Sequence, residues 1–217
     1  MKALILLLGL TIAAPAAFPE PPNSRDEALA ALRNEDAATR AEGVVWFANR
    51  GAPADDGLLH ERLRDESGLV RSYAEQGLWL LWSRSGDAEV DRVMARGVEQ
   101  MQAGRHGEAI AIFSGVISRK PDFAEAWNKR ATVHYLAGDY RRSLADCAEV
   151  LKRNPRHFGA LSGAGMVHFE LEQYDEALSW FKRALDVNPN MVGVELMINR
   201  IPSKPPRRRM RFRAGYA

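Results

Sequence analysis

The sequence predicts an all-α fold, a solenoid of stacked helical hairpins, on three observations. First, Pro121, Pro155 and Pro189 recur every 34 residues, each after a related block: Ala103-Gly-Arg-His-Gly-Glu-Ala-Ile110, Ala137-Gly-Asp-Tyr-Arg-Arg-Ser-Leu144 and Leu171-Glu-Gln-Tyr-Asp-Glu-Ala-Leu178. Second, Leu32–Arg40 aligns with Leu63–Arg71 over nine positions at a spacing of 31. Third, a glycine or polar pair interrupts each expected hairpin, and a proline, which has no N–H to donate, closes it.

Composition sets the outer limits. The chain has 217 residues, 46% of them hydrophobic and 27% charged, which suits a packed globular chain and argues against a polytopic membrane protein or wholesale disorder. Cys147 is the single cysteine, so an intramolecular disulfide framework and a multi-cysteine zinc site are both excluded. The net charge of +2 hides a segregated chain: residues 17–199 hold 22 basic against 28 acidic groups, and the last 18 residues hold seven basic groups and no acid.

Taken from the N-terminus, residues 1–17 have the layout of a secretory signal peptide. Lys2 is followed by the apolar stretch Ala3–Ala14 and by Ala14-Pro15-Ala16-Ala17, where Ala14 and Ala16 are placed as a cleavage site. The stretch is short of the ~20 residues that span a bilayer. The expectation is a protein that is periplasmic or secreted. Residues 18–23 form a proline-rich linker.

Residues 24–88 hold the 31-residue repeat. Ser24 and Glu27 form a capping box that starts the first helix, and each repeated block precedes a helix rich in Trp and apolar residues: Val44, Val45, Trp46 and Phe47, then Leu78, Trp79, Leu80, Leu81 and Trp82. This pair resembles HEAT-type helical hairpins, in which a short acidic turn starts the second helix and an arginine one turn in is held by neighbouring polar groups.

Residues 89–190 carry the three 34-residue copies. Their helix, turn, helix and closing proline resemble the tetratricopeptide repeat (TPR). The family's positions fall on Val93, Gly97, Ala109, Phe113 and Pro121 in the first copy, on Trp127, Ala131, Ser143, Cys147 and Pro155 in the second, and on Leu161, Gly165, Ala177, Phe181 and Pro189 in the third. The first copy departs from the pattern with Arg96 and Gln100, the second with Arg130 and His134, and the third has His168 where an aromatic is usual. One such hairpin cannot bury its apolar face alone, and about three must stack for stability. The linker Ser83–Asp87 is so short that one continuous solenoid is expected. After Pro189, residues 191–201 have the helical spacing of a capping helix, and residues 202–217 read as a basic disordered tail.

Catalytic signatures such as H-E-x-x-H, G-x-S-x-G and phosphate-binding glycine loops are absent, so the expectation is a chain that is not an enzyme and uses no cofactor. Cys147 stands where the repeat packs a large apolar residue and reads as a small hydrophobe. His134 and His168, with Gln100 one repeat earlier, form a row on successive first helices. Two histidines fall short of the ligands zinc needs, so the row reads as inter-helix hydrogen bonding and no metal site is expected. His60, His106 and His157, scattered at turns or helix ends, carry no functional weight in the sequence.

The family resemblance implies binding on the concave surface made by the first helices. Carried over by position, the groove is Met94, Val98 and Met101, then Asn128, Lys129, Thr132, Tyr135 and Leu136, then Ser162, Met166, Phe169 and Glu170. Methionines, aromatics and a few polar groups suit an extended peptide or a helix as partner. The N-terminal hairpins could instead cover the apolar members. A TPR subclass clamps C-terminal carboxylates with Lys and Asn; its positions here are Met94, Val98, Lys129, Gly159 and Gly163, with one charge among them, so that mode is not expected. Arg207, Arg208, Arg209, Arg211 and Arg213, with Phe212 and Tyr216 interleaved, could bind an anionic envelope surface in a salt-sensitive way, or form a solvated end with no partner. No nucleic acid is expected of an exported chain.

Overall fold

The computed structural model describes residues 21–202. The expected signal peptide, the first half of the proline-rich linker and all but the first residue of the expected basic tail lie outside the described residues. Among those described, every regular element is helical, eleven α-helices and one short 3-10 turn, as the all-α solenoid requires. None is long and apolar enough to cross a membrane.

The first unit comprises α1 (Arg25–Ala31), α2 (Ala37–Arg50), a 3-10 turn (Pro53–Asp55), α3 (Asp56–Arg62) and α4 (Gly68–Ser83). Ser24 caps α1 by accepting from the Glu27 N–H at 3.2 Å, but the Glu27 carboxylate reaches past Ser24 to the Asn23 N–H at 2.8 Å. The 31-residue repeat is visible as an arginine ladder. Arg40 donates to the Asn34 and Glu35 carbonyls and forks onto Asp65 with two 2.8 Å bonds, and one repeat later Arg71 donates to the Asp65 and Glu66 carbonyls. These carbonyls lie in the turn between the paired helices, where the guanidinium satisfies acceptors that neither helix bonds.

The second unit is three hairpins: α5 (Ala88–Gln102) with α6 (His106–Arg119), α7 (Ala124–Leu136) with α8 (Tyr140–Arg153), and α9 (Phe158–Glu170) with α10 (Tyr174–Val187). Small residues set the approach within each hairpin. A β-carbon added at Gly97 would lie 2.5 Å from Phe113 Cε1, and one at Gly165 would lie 2.5 Å from Phe181 Cδ1. The turns need a left-handed residue, supplied by Gly104 (φ 72°), Gly138 (φ 76°) and, in the third copy, Glu172 (φ 56°). α11 (Val192–Asn199) then lays Val194, Met197 and Ile198 against Ala177 and Phe181.

The two units do not simply stack end to end. α4 finds its neighbours in α2, α3 and α7 rather than in α5, so the short linker turns the first unit back across the repeats. Phe158 of α9, fully buried, joins the core of Val44, Phe47, Leu59, Leu63 and Leu78. Polar contacts fix the same closure. Asn190 donates to the Leu63 carbonyl at 2.7 Å and accepts from Arg71 Nε at 2.9 Å, Arg64 donates to the Asp186 carbonyl, and Arg156 pairs with Asp56 at 2.8 Å. The sequence neighbourhood could not show this, because the partners lie about 100 to 127 residues apart.

Candidate functional site

The first helices of the three hairpins, α5, α7 and α9, lie side by side and make the concave face. The first unit covers one end of it. Trp79 and Trp82 of α4 sit against the first turns of α7 and α9, with Trp82 stacked on His157 at a centroid distance of 4.4 Å and Trp79 edge-on to Phe158 at 5.1 Å. The ring of Trp79 fills the space over Gly159, where a β-carbon would lie 2.3 Å from Cη2.

A buried polar chain runs beneath the two tryptophans. The Ala160 N–H donates to His157 Nδ1 at 3.1 Å, so that nitrogen carries no proton and Nε2–H donates to Glu125 at 3.1 Å. Glu125 also accepts from Asn128 at 3.0 Å and pairs with Lys129 Nζ at 2.9 Å. Burial works to raise the Glu125 pKa, but the His157 and Lys129 contacts outweigh it and hold the carboxyl lowered. Lys129 is therefore occupied within the fold, its ammonium also 5.8 Å from the centroid of Trp79.

Beyond this cap the groove is open. Thr132 and Leu136 are exposed, Leu136 by 52%, and Met101, Tyr135, Met166 and Phe169 are partly exposed. Tyr135 donates to Glu170 at 3.3 Å; its pKa is raised by burial first and then by that carboxylate. In the middle lies a depression of about 120 Å³ lined by Asn128, Ala131, Thr132, Tyr135, Ser143, Cys147, Gly159, Gly163 and Met166. Gly163 opens it: its missing β-carbon would sit 3.7 Å from Cys147 Sγ, in ordinary contact. Burial first, then Asp146, pushes the Cys147 pKa up to about 12, so the floor is a neutral thiol and no nucleophile. The site can receive one apolar side chain and hydrogen-bond a backbone beside it.

The structure distributes the sequence-derived residues unevenly. Asn128, Thr132, Tyr135 and Met166 meet at the depression, and Leu136 and Phe169 flank it at the helix ends. Met94 is 6% exposed and packs with Phe113, Phe123 and Ala126, so it offers almost no groove surface, and Val98 and Met101 flank the same cluster. The row of Gln100, His134 and His168 does not bond along itself as expected. Gln100 bonds Arg105, His168 meets Gln173 at 2.6 Å and His134 faces Asp146 at 3.8 Å, each inside its own hairpin. No three His, Cys, Asp or Glu converge as a metal site among the described residues. The five tail arginines lie outside them.

His157 is what sequence reasoning missed. The 34-residue register places it with Phe123 and Met191, so a histidine at an otherwise apolar position was the available signal. His60 is likewise buried, facing the Asp56 carbonyl at 2.9 Å and the Arg156 carbonyl at 3.3 Å across the closure.

The sequence profile of the tetratricopeptide repeat matches residues 94–145 and 129–191. A TPR repeat-containing protein of Rhizobium etli is 31% identical over 172 residues, covering 77% of this chain and 84% of that protein. The chain belongs to the tetratricopeptide repeat family. Other relatives match over less of both chains, such as the Hsp70-Hsp90 organizing protein 1 of Glycine max, 26% identical over 46% of this chain and 18% of that protein. Two solved TPR domains share the fold: the first TPR of Spaghetti (RPAP3) bound to an HSP90 peptide, with a TM-score of 0.50 at 20% identity, and the Arabidopsis OM64 TPR domain, with 0.50 at 18%. They cover 52% of this chain and 89% and 94% of their own.

Proposed function

We propose that this TPR protein is a non-catalytic adaptor that holds an extended protein segment in the open half of its concave groove, seating one apolar side chain over Gly163 and Cys147. The observation that carries this reading is the 120 Å³ depression, walled by groups of both kinds that an extended peptide needs: apolar Met166 and Ala131, and polar Asn128, Thr132 and Tyr135. A carboxylate clamp of the kind described for some TPR domains does not fit. Of its positions, Met94 is buried, Lys129 is neutralised by Glu125, and Gly159 lies under Trp79.

The signal-like start supports reading the adaptor as periplasmic or secreted, and the arginine ladder of Arg40 and Arg71 supports reading the first unit as HEAT-like. Pull-down from envelope extracts with the chain and with Tyr135→Ala combined with Gly163→Val tests the groove; equal recovery of the same partners by both would refute it. A second reading rests on charge. Residues 203–217 hold six basic groups and no acid, whereas residues 21–202 hold 23 basic and 27 acidic. In this reading the tail anchors the adaptor to anionic lipid or cell-wall polymer. Deleting residues 203–217 should then abolish salt-sensitive sedimentation with anionic vesicles, and unchanged sedimentation would end the idea.

A further inference from the structure

A second cavity lies at the seam where the first unit closes over the loops that join successive hairpins, and the adaptor reading leaves it unused. It encloses about 410 Å³. Leu81 and Trp82 of α4 and Phe123, at the start of α7, give it an apolar wall. Four bases line it, Arg84, Lys120, Arg153 and Arg156, against three acids, Asp56, Asp122 and Glu125. Seams between packed units are where small-molecule sites preferentially form, and the volume is in their range.

Most of these charges are already committed. Asp56 pairs with Arg156 at 2.8 Å, Glu125 with Lys129 at 2.9 Å, and Arg153 with Glu149. Arg84 and Lys120, both partly buried, meet no acid among the described residues. The Arg84 guanidinium is filled by the Ala48, Asn49 and Gly51 carbonyls, whereas the Lys120 ammonium donates to the Ser85 carbonyl alone and keeps two further donors. Arg153 Nε bonds the Pro121 carbonyl at 2.6 Å, which brings a second cation to the residue after Lys120. In the apolar wall, Trp82 Nε1 is shielded from water and has no acceptor among the described residues, a state that costs free energy until one arrives.

We propose that this cavity binds a small organic acid, its carboxylate held by Lys120 with Arg153 beside it and its carbon body against Trp82 and Phe123. The uncommitted ammonium selects an anion, because a partly buried charge gains most from an opposite one. The apolar wall selects an anion with a carbon body over a hydrated inorganic ion. The walls come from both units, and two bonds already clasp them here: Lys120 reaches the linker at Ser85, and Arg156 reaches Asp56 of α3. An occupant adds to that clasp, so its binding free energy appears as protection of the closed arrangement. The proposal does not depend on the concave groove having a partner.

The test is a titration of the 15N-labelled full chain, which has five tryptophans, followed at the indole N–H signals, with Trp82→Phe identifying the Trp82 signal. Phenylacetate should shift that signal saturably, with a dissociation constant on the order of 1 mM or below, and at saturation should slow amide exchange in α3 and α4. Phenylacetamide has the same body without the charge, and inorganic phosphate has charge without the body; each should bind about tenfold more weakly or worse. Lys120→Gln should weaken phenylacetate about tenfold. Asp122→Asn, which removes the one acid of the rim without a cationic partner, should tighten it about two- to fivefold. Both variants should keep the helical circular dichroism, and a general loss of structure does not give opposite signs at two neighbouring positions. The proposal is overturned by the absence of a saturable shift with phenylacetate, by equal binding of the amide or of phosphate, or by weaker binding in Asp122→Asn. Saturable binding that leaves exchange in α3 and α4 unaltered would overturn the bridging of the two units.

Discussion

Gly163 stands over the Cys147 thiol with room for a β-carbon at 3.7 Å, whereas two residues along the same helix a β-carbon at Gly165 would meet Phe181 at 2.5 Å. The two glycines therefore have different reasons to exist. Gly165 permits the close approach of α9 and α10; Gly163 is not required for packing and keeps the groove hollow.

The difference is measurable. Gly163→Ala should leave stability unchanged or raise it by about 0.4–1 kcal/mol, since alanine narrows the unfolded ensemble at a helical site with space for its methyl. Gly165→Ala should cost about 1–3 kcal/mol, because the aromatic ring facing it must shift. Urea unfolding followed by circular dichroism reads both, and equal destabilisation by the two substitutions would contradict the assignment of Gly163 to the groove.

Phe158 links the two units, lying in α9 but buried in the core of the first. Phe158→Ala should cost about 3–5 kcal/mol. Hydrogen exchange should show residues 25–83 losing protection ahead of α5 and α6. If protection falls evenly across the chain, the closure is not a separable contact.

Acid should act in two stages. Burial lowers the pKa of His60 and of His134 from 6.5, so below that value the unfolded chain takes up protons that the fold refuses, and stability begins to fall. The Arg25 bond lowers Asp55, and the Arg40 bond lowers Asp65, each from 3.8. Their contribution is complete above that value and is lost as pH falls through the depressed one, where the unfolded carboxyls are already protonated. Thermal melts should therefore show a plateau near neutral pH, a first decline below about 6.5 and a steeper one below about 4. His60→Gln with His134→Gln should flatten the first decline; a melt profile unchanged by both substitutions would contradict it.

The Cys147 thiol should be silent. With its pKa pushed up to about 12 by burial, it should stay unmodified by an aromatic disulfide reagent at pH 8 until the chain unfolds. Prompt modification of the folded chain, counted by mass, would show that the depression reaches deeper than the structure has it.

Much of this fold is legible because its repeats are periodic. The glycines at 97 and 165 and the prolines at 121, 155 and 189 are local requirements of a hairpin, and each leaves its mark at a fixed spacing. The open groove was partly legible by the same rule: Thr132, Tyr135 and Met166 are placed by register alone. What register could not place were contacts that cross between the units. Gly159 has a groove position but is covered because Trp79 arrives from a helix 80 residues earlier. Its role follows from tertiary closure, which carries no period. Met94 and Lys129 are lost to the groove within the array itself, Met94 against Phe123 and Ala126 and Lys129 to Glu125 one turn earlier.

The most direct measurement of the account is site-specific photocrosslinking from the concave face. A benzophenone side chain placed at Thr132, exposed in the open groove, is compared with one at Arg141, exposed on α8. In cells that make this protein, Thr132 should yield discrete protein adducts that Gly163→Val abolishes, and Arg141 should not yield them. Adducts from Arg141 alone, or Thr132 adducts indifferent to filling the depression, would contradict the claim that this groove is where the protein binds.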